Sequence, residues 1–463
     1  MKTKQILFSG VLAACAFPQL ASATNGMNME GYGATALAMG GASMAYDNGT
    51  AAMMNNPATL VMMNEGINLD LALGFLAPQV KSSAGGTTSS SSADMFGGPA
   101  FGLIRKQNGL LFGVGMYGQG GMGTEYDGNS ILALTPGLVN RSEVSVGRVI
   151  FPVAYNVSPD LNIGGSLDYV WAGMDLQMAM NGNTQMMPMM APGGSAAGVI
   201  TTSAAVAGAL GGMMGPMATP VGYFDFSNDN DFTGQAVGTG YAGKLGITYK
   251  VNSQLTIGGT YHSKTQLGDL KADQASLSVS DGAVGLASEQ KIPGSISVKN
   301  FQWPETYGLG LAYQANDKLM VAADWKRIGW GNVMKDFRMV FTIDGSVPGI
   351  GGQSIDAVLY QKWEDQDVFM LGVAYKATDA LTLRAGLNMA NNPVPDTYLN
   401  ALFPAIIKNH VTAGFGYAIN KKSHLDMAFS YAPKVTATSD VTGVSIATSH
   451  EQYNGQLVYS YHF

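Results

Sequence analysis

The residues with the most distinctive chemistry are methionines concentrated in one long segment. Ten methionines lie between residues 173 and 235, and this segment contains no Lys or Arg. A thioether side chain is flexible and polarizable, so a surface built from it adapts to apolar molecules of different shapes. We therefore predict that segment 173–235 captures a hydrophobic ligand. The candidate contacts are Met187, Met190, Met213 and Met214.

Two other interpretations of this segment are open. It could be a self-packed cap with a short helix near residues 196–214. Metal binding through thioethers would need a soft ion such as Cu(I), and no Cys or His accompanies the methionines. We therefore predict no metal site.

Basic residues on the polar side of alternating segments could bind a carboxylate. Apolar residues at 381, 383, 385 and 387 share one face, so Arg384 points to the opposite face, and Lys326 has the same parity in its own segment. The alternative is that both cations pair with acidic groups. Because no Lys or Arg occurs from 149 to 243, the pattern slightly favours neutral or broadly hydrophobic ligands.

No arrangement of residues predicts catalysis. The five histidines lie near the ends of segments and lack metal-ligand spacing. They are His262, His410, His424, His450 and His462. We predict no enzymatic activity and no cofactor, with an enzyme as a minor alternative that an uptake assay would separate from transport.

The composition excludes several classes of protein. Charged residues make up 12% of the 463 residues, against about 25% in a soluble domain. The formal net charge of −7 and the lack of clustered Lys and Arg argue against a nucleic-acid partner. After the N-terminus there is no run of about 20 apolar residues, so membrane helices are not expected. The chain must meet apolar surroundings in another way.

The N-terminus predicts export. Two lysines, a short apolar run and the small residues at 21–23 have the layout of a signal peptide, so we assign residues 1–23 to a cleaved signal and Thr24 to the mature start. The alternative is lipoprotein processing at Cys15, the chain's single cysteine. Cleavage after residue 23 leaves no thiol chemistry in the mature protein.

From residue 67 onward, apolar residues occupy every second position in runs of about ten. Such alternation is typical of half-buried strands. Six tight turns alternate with seven long connections, which predicts fourteen strands, and this alternation is typical of outer-membrane barrels. We therefore predict an all-β, 14-stranded antiparallel transmembrane β-barrel over 67–463 with an N-terminal plug (hatch) inside the lumen. The terminal Phe463 on an aromatic strand resembles the signal read by the outer-membrane assembly machinery.

Residues 24–66 do not alternate and are rich in small and apolar residues. A fourteen-stranded barrel has a lumen wide enough for an aqueous channel unless something fills it. We predict that 24–66 is the plug. A disordered tail is the alternative, but this segment is too apolar for one.

Several motifs resemble the FadL family of outer-membrane transporters for long-chain fatty acids and related hydrophobic compounds, including aromatic hydrocarbons. Gly40-Gly41-Ala42 and Asp47-Asn48 precede the tripeptide Asn56, Pro57, Ala58 directly before the first strand, as in the hatch of that family. Residues 392–396, followed by 402–406 and 409–410, are similar to the segment between its eleventh and twelfth strands.

The resemblance implies a mechanism. In that family ligand is caught among the extracellular loops, passes to a tighter site, and leaves sideways through the wall at a kinked third strand when the hatch shifts. The third strand here carries several glycines, which often mark kinks. The lateral gate candidates are Gly113, Gly115 and Gly118.

We therefore predict a monomeric channel in the outer membrane of a Gram-negative bacterium. Its predicted function is passive uptake of hydrophobic compounds, with long-chain fatty acids first and neutral aromatic hydrocarbons as the alternative. A general porin or a surface adhesin is less favoured. The expected partners are a hydrophobic small molecule, outer-membrane lipid including lipopolysaccharide, and the assembly machinery.

Overall fold

The computed structural model describes residues 24–230 and 233–463, so the signal peptide predicted at 1–23 lies outside the described residues. The described chain forms one antiparallel sheet of 22 strands. In chain order they are β1 (Gly66–Ala84), β2 (Thr87–Ser90), β3 (Phe96–Gln107), β4 (Leu110–Tyr126), β5 (Asn140–Asn156), β6 (Leu161–Asn181), β7 (Gly198–Thr202), β8 (Pro220–Phe226), β9 (Ala236–Lys250), β10 (Leu255–His262), β11 (Gln266–Leu267), β12 (Leu270–Asp281), β13 (Gly285–Lys299), β14 (Thr306–Asn316), β15 (Leu319–Ile328), β16 (Asp336–Ile343), β17 (Ser354–Tyr360), β18 (Gln366–Lys376), β19 (Leu381–Ala390), β20 (Asn409–Ala418), β21 (Ser423–Ser439) and β22 (Ile446–His462).

The helices are short and are not part of the barrel wall. They are α1 (Ala34–Ala38), α2 (Met187–Met190) and α3 (Ala204–Met214), with 3-10 turns at Gly49–Met53, Pro57–Met62, Trp330–Asn332 and Asp396–Tyr398 and a π-turn at Gly182–Met186. Among residues 24–230 and 233–463, no helix is both long and apolar enough to cross a bilayer.

The wall closes where β1 pairs with β22, for example at Leu71 and Tyr459. The closed barrel has sixteen strands, so the prediction of fourteen is wrong. The two additional strands are β8 and β12, which lie between β6 and β9 at the end that carries the long connections. There β6 pairs with β8, β8 pairs with β12, and β12 meets β9 at Lys271 and Val237.

Towards the end that carries the tight turns, β6 pairs directly with β9 from Leu161 to Met174. The two additional strands therefore contribute to the wall only near the long connections. The sequence count misses β8 and β12 because they lie within 173–235 and 265–292, two of the seven segments that the sequence pattern predicts to be long connections. We call the two ends of the barrel the loop end and the turn end.

Alternating side chains give the wall two different faces. On the outside, Leu73 is 62% exposed and Leu245 66% exposed, although both are apolar. On the inside, Asp168 is fully buried and accepts a hydrogen bond of 2.8 Å from Arg148, with the Lys244 ammonium as a second partner. An apolar exterior around a polar, ion-paired interior is the pattern of a membrane barrel.

Residues 24–65 lie in the lumen and form a plug. Leu37, Met44 and Met53 in this segment are at most 1% exposed. The Ser43 N–H donates to the wall carboxylate of Asp324 at 2.6 Å, and the Thr50 N–H donates to that of Asp70 at 2.7 Å. Buried backbone donors satisfied by wall carboxylates fix the plug in place. The predicted all-β barrel with an N-terminal plug is therefore confirmed, apart from the number of strands.

Candidate functional site

The first plug residues, Asn25–Met29, contain a tight turn in which Asn25 and Asn28 pair with each other, and this segment lies against β4. Asn28 forms a β-bridge with Gly120, and the Gly121 N–H donates to the Met27 carbonyl at 3.0 Å. At this point the β4–β5 register shifts between Gly118 and Gly120, so one extra residue is inserted into β4. A bulge bends a strand and frees backbone groups for another partner. Here the partner is the plug.

Asn28 links this bulge to Trp303, which lies in a long connection at the loop end. Its side-chain oxygen accepts from the Gln119 amide at 2.9 Å and from the Trp303 indole at 2.7 Å. Tyr32, four residues later in the plug, donates its hydroxyl to the Gln119 backbone carbonyl at 2.5 Å. Burial raises the pKa of the Tyr32 phenol, so this group stays protonated and remains a donor.

Three tryptophans form an edge-to-face row beside the same plug segment. The ring centroids of Trp303 and Trp330 are 5.4 Å apart, and those of Trp330 and Trp363 are also 5.4 Å apart. A methyl group added at Gly26 would overlap the Trp330 indole, so the plug backbone packs directly on this ring. Within the described part of the chain, the indole N–H groups of Trp330 and Trp363 are buried without a hydrogen-bond partner.

The pairing between β3 and β4 ends next to the bulge. The β3–β4 ladder runs from the pair Gln107 and Leu110 only to the pair Phe101 and Met116. Beyond it, β3 continues to Phe96 on its β1 side and β4 continues to Tyr126 on its β5 side. The two strands therefore separate beyond Phe101, which leaves a gap in the wall beside Gly118.

A cavity of about 300 Å³ connects this gap with the turn end of the barrel. Its lining on the gap side includes Gly98, Ala100, Tyr117 and Gly118. Its opposite lining consists of turn-end residues and of plug residues, including Asp47. The plug separates this cavity from the tryptophan row, because Asn25–Met29 lies between them.

The three gate candidates are not equivalent. Gly118 lines the gap and the cavity. Gly113 and Gly115 lie within the paired part of β4. A methyl group added at Gly113 would overlap the Leu103 carbonyl, and one added at Gly115 would approach the Met53 sulfur to 2.7 Å. Their contacts are with the wall and the plug, so Gly118 is the candidate that the structure places at the gap.

The hatch motif joins the plug to β6 and β9, which follow β4 and β5 around the wall. The Asn56 amide donates to the Met44 carbonyl at 2.7 Å and to the Ile247 carbonyl of β9 at 3.2 Å, and its oxygen accepts from the Ala58 N–H at 3.1 Å. Pro57 packs on Gly164 of β6, where a methyl group would come within 2.6 Å of it.

Replacing Asn56 with Ala should lower the free energy of unfolding by about 1–3 kcal/mol, because two buried carbonyls would lose their donor. The measurement is thermal or urea unfolding of the purified protein. Asn64→Ala is the matched control, since Asn64 is an exposed plug residue. Equal stability of the two variants would contradict the structural role of Asn56.

The two cation candidates have different surroundings. Arg384 lies near the turn end and donates to Asp426 at 2.7 Å, so its charge is already paired. Lys326 faces the lumen and is 8% exposed. Asp324 acts on Lys326 electrostatically, but no residue in 24–230 or 233–463 forms an ion pair or hydrogen bond with the Lys326 ammonium.

The methionine candidates lie in a folded segment, not in an extended loop. Met214 is 4% exposed, and Met213 and Met190 pack against the same apolar core, while Met187 is 41% exposed. Strand β7 in this segment pairs with β17, which anchors it to the loop end. The self-packed alternative thus describes most of these side chains, with Met187 at the surface.

Sequence reasoning missed Asn28, Gln119 and the tryptophan row. The Gly120-Gly121 pair marked an irregular strand, but nothing in the sequence indicated that the plug would pair with it. The three tryptophans lie in separate connections, at 303, 330 and 363, and come together only in the fold.

Comparisons with known proteins agree with this architecture. The model of the family described as "Outer membrane protein transport protein (OMPP1/FadL/TodX)" matches residues 12–459. The Pseudomonas putida toluene transporter TodX is 32% identical, with 94% of this chain and 99% of that chain covered and a TM-score of 0.82. The Ralstonia pickettii toluene transporter TbuX is 32% identical over 94% and 99% of the two chains, with a TM-score of 0.77.

Two further matches are more limited. A Pseudomonas aeruginosa FadL homologue is 15% identical over 95% and 100% of the chains with a TM-score of 0.71, which shows the shared fold alone. A Chlorobium limicola protein described as "Uncharacterized protein in phosphoenolpyruvate carboxykinase gene 5'region" is 50% identical over 74 residues. That match covers 16% of this chain and 36% of the relative's length.

The predicted resemblance, the outer-membrane location and the general transport function are therefore confirmed. The turn end faces the periplasm and the loop end faces the outside, as in other outer-membrane barrels. The chain belongs to the FadL/TodX family of outer-membrane channels for hydrophobic compounds.

Proposed function

We propose that this channel admits neutral monoaromatic hydrocarbons of the size of toluene. The observation that carries the proposal is the row of Trp303, Trp330 and Trp363 against the plug segment Asn25–Met29. Aromatic rings attract one another edge to face, and an indole N–H without a partner can donate weakly to an arene face. The TodX and TbuX structures, which are described as toluene transporters, support the same substrate class.

Capture begins at the outer surface. Met187 is exposed beside a methionine-rich core, and flexible thioethers accept small apolar molecules without a fixed shape. From there the ligand moves to the tryptophan row. Met190, Met213 and Met214 provide the inner, less exposed part of this route.

Ligand binding at the tryptophan row is coupled to the gap through Asn28. An arene that enters between Trp303 and the plug displaces the Asn28 side chain from the indole. The same side chain holds Gln119 at the bulge, so its displacement loosens the plug next to Gly118. The hatch motif Asn56, Pro57, Ala58 keeps the plug attached to β6 and β9 during this movement.

Exit occurs sideways through the gap between β3 and β4. A hydrophobic molecule released into the membrane keeps its burial energy, about 0.8 kcal/mol per buried CH₂. Release through the cavity to the periplasmic turn end would lose that energy, because the lining of this cavity includes acidic side chains such as Asp47 and Asp70.

A second candidate substrate is a fatty acid, and Lys326 favours it. A buried ammonium that has no ion-pair partner in the described part of the chain could hold a carboxylate, whereas Arg384 already pairs with Asp426. This candidate differs from the first in one testable respect, the need for a cation.

The Lys326→Met variant distinguishes the two substrates. For aromatic hydrocarbons, we expect uptake of radiolabelled toluene by Gram-negative cells that produce the variant to stay within about twofold of wild type, because no charge is recognised. A loss of laurate uptake of about tenfold, the effect of one charge-assisted hydrogen bond, would favour fatty acids. Lys250→Met is the control, because Lys250 is exposed at the turn end of β9 and does not line the cavity.

We further propose that the protein works as a monomer within lipopolysaccharide-containing lipid and reaches it through the barrel assembly machinery. The last strand supports this view, because Tyr459 and Phe463 are exposed on the lipid side at 37% and 55%. A Phe463→Ser variant that still accumulates in the outer membrane at wild-type levels would argue against this route.

A further inference from the structure

A group of buried polar side chains lies where the plug meets β19, β20 and β22. Glu30 of the plug and Asn388 of β19 are fully buried, and His410 of β20 is 1% exposed. Asn388 and His410 are direct cross-strand partners. The Asn388 amide donates to the Gly40 carbonyl at 3.0 Å, and Gly41 packs on the Glu30 backbone carbonyl. These contacts place the three residues around the Gly40–Gly41 stretch of the plug.

Each of the three side chains has an unused hydrogen-bonding atom. Within the described residues, Glu30 Oε2, Asn388 Oδ1 and both ring nitrogens of His410 have no hydrogen-bond partner. Buried polar atoms without partners are rare in folded proteins, and each costs about 1–3 kcal/mol. Three such side chains around the same stretch of plug indicate a place for a polar group that the described residues do not supply.

The surrounding hydrogen bonds fix which atoms are free. A chain of donors runs from Gln452 through Asn454 to Glu30: Gln452 donates to Asn454 at 2.7 Å, and Asn454 donates to Glu30 Oε1 at 2.8 Å. His450 is held by the Pro404 carbonyl at 2.9 Å. Asn454 therefore occupies Oε1 and leaves Oε2 free, while the bond from Asn388 to Gly40 leaves the Asn388 oxygen free.

We propose that Glu30, Asn388 and His410 form a subsite for the hydroxyl group of a phenol or an aliphatic alcohol. The free carboxylate and amide oxygens require a donor, and a neutral imidazole offers one N–H donor and one acceptor. A hydroxyl group both donates and accepts, so it satisfies Glu30 and His410 together. A carboxylate in the same place would face two oxygens with no proton to share.

The neighbours of the subsite can make room for an aromatic ring or alkyl chain. Met370 lies 3.2 Å from the position of a methyl group at Gly41, and Met39 packs beside Gly372. Methionine side chains move readily between rotamers and tolerate new shapes around them. Gly26, which packs on Trp330 of the tryptophan row, lies four residues before Glu30 in the same stretch of plug.

This inference rests on the proposed function, since it names a substrate class for the same lumen. It predicts that the channel prefers hydroxylated compounds over the parent hydrocarbons. The matched probes are toluene, p-cresol and p-toluate, which share one ring and differ in one substituent.

The experiment measures displacement of radiolabelled toluene from the purified, detergent-solubilised full-length mature protein, with empty micelles as the blank. For wild type, we expect p-cresol to displace toluene at a concentration about tenfold lower than unlabelled toluene does, as for one hydrogen bond to a charged group, and p-toluate to be weaker than both. In His410→Phe and Glu30→Gln, p-cresol should fall to within about twofold of toluene. Glu305→Gln, on the outer face, should behave as wild type.

The outcomes separate the two hypotheses. If p-cresol and toluene displace label equally well from wild type, the free atoms hold only water and the subsite is excluded, whether or not the variants fold. If His410→Phe keeps the full preference for p-cresol, the subsite is also excluded. If toluene itself does not bind, the proposed function fails.

Discussion

Replacing Gly118 with Trp should lower toluene uptake about tenfold or more, while toluene binding stays within about twofold of wild type. Gly118 lines both the cavity and the gap where β3 and β4 separate. A bulky side chain there blocks the sideways exit. Overpacking costs about 1–3 kcal/mol, and each increase of about 1.4 kcal/mol in the transport barrier lowers the uptake rate about tenfold. The measurement is initial uptake of radiolabelled toluene by cells with matched channel levels.

The matched control is Leu110→Trp on the same strand. Leu110 is 45% exposed on the lipid side and lies in the paired part of β4, away from the gap. Its uptake should equal that of wild type. Normal uptake by the Gly118→Trp variant would exclude the gap as the exit.

The second large effect is expected when the plug is separated from the bulge. A side chain added at Gly120 overlaps the Met27 carbonyl, and this glycine has a φ of 153°. Gly120→Leu should therefore release Asn25–Met29 from β4, break the contact of Asn28 with the wall, and lower the free energy of unfolding by about 1–3 kcal/mol. Single-channel conductance should rise towards that of a variant lacking residues 24–65.

Conductance in planar bilayers is the measurement, and Gly345→Leu is the control. A methyl group at Gly345 would meet nothing within 4 Å, and Gly345 lies in a connection outside the lumen. The control should give the wild-type trace. A wild-type trace from Gly120→Leu as well would show that the plug is held elsewhere, and the coupling through Asn28 would then have no structural basis.

Much of the fold could be predicted because alternation is a local property. Leu69, Leu71 and Leu73 define a lipid-facing side, and Asp70 between them defines the inner side, regardless of how distant strands pair. Short turns and long connections alternate along the chain in the same local way. The strand number was wrong because β8 and β12 depend on pairing between two distant connections, which periodicity does not encode.

The candidate site was predictable only in part for the same reason. Parity placed Arg384 and Lys326 on the inner face, but whether a lumen cation is paired depends on residues of other strands. The fold pairs Arg384 with Asp426, whereas Lys326 has no ion-pair partner among residues 24–230 and 233–463. The hatch motif could be recognised because its residues are consecutive.

The sequence by itself therefore determined that this protein is an outer-membrane barrel with a plug, since hydrophobic periodicity and turn residues are properties of neighbouring positions. Only the tertiary structure decided where the channel works. The bulge at Gln119, the gap at Gly118 and the row of Trp303, Trp330 and Trp363 all depend on contacts between residues far apart in the chain. Such contacts form only when the plug is enclosed and the wall closes around it.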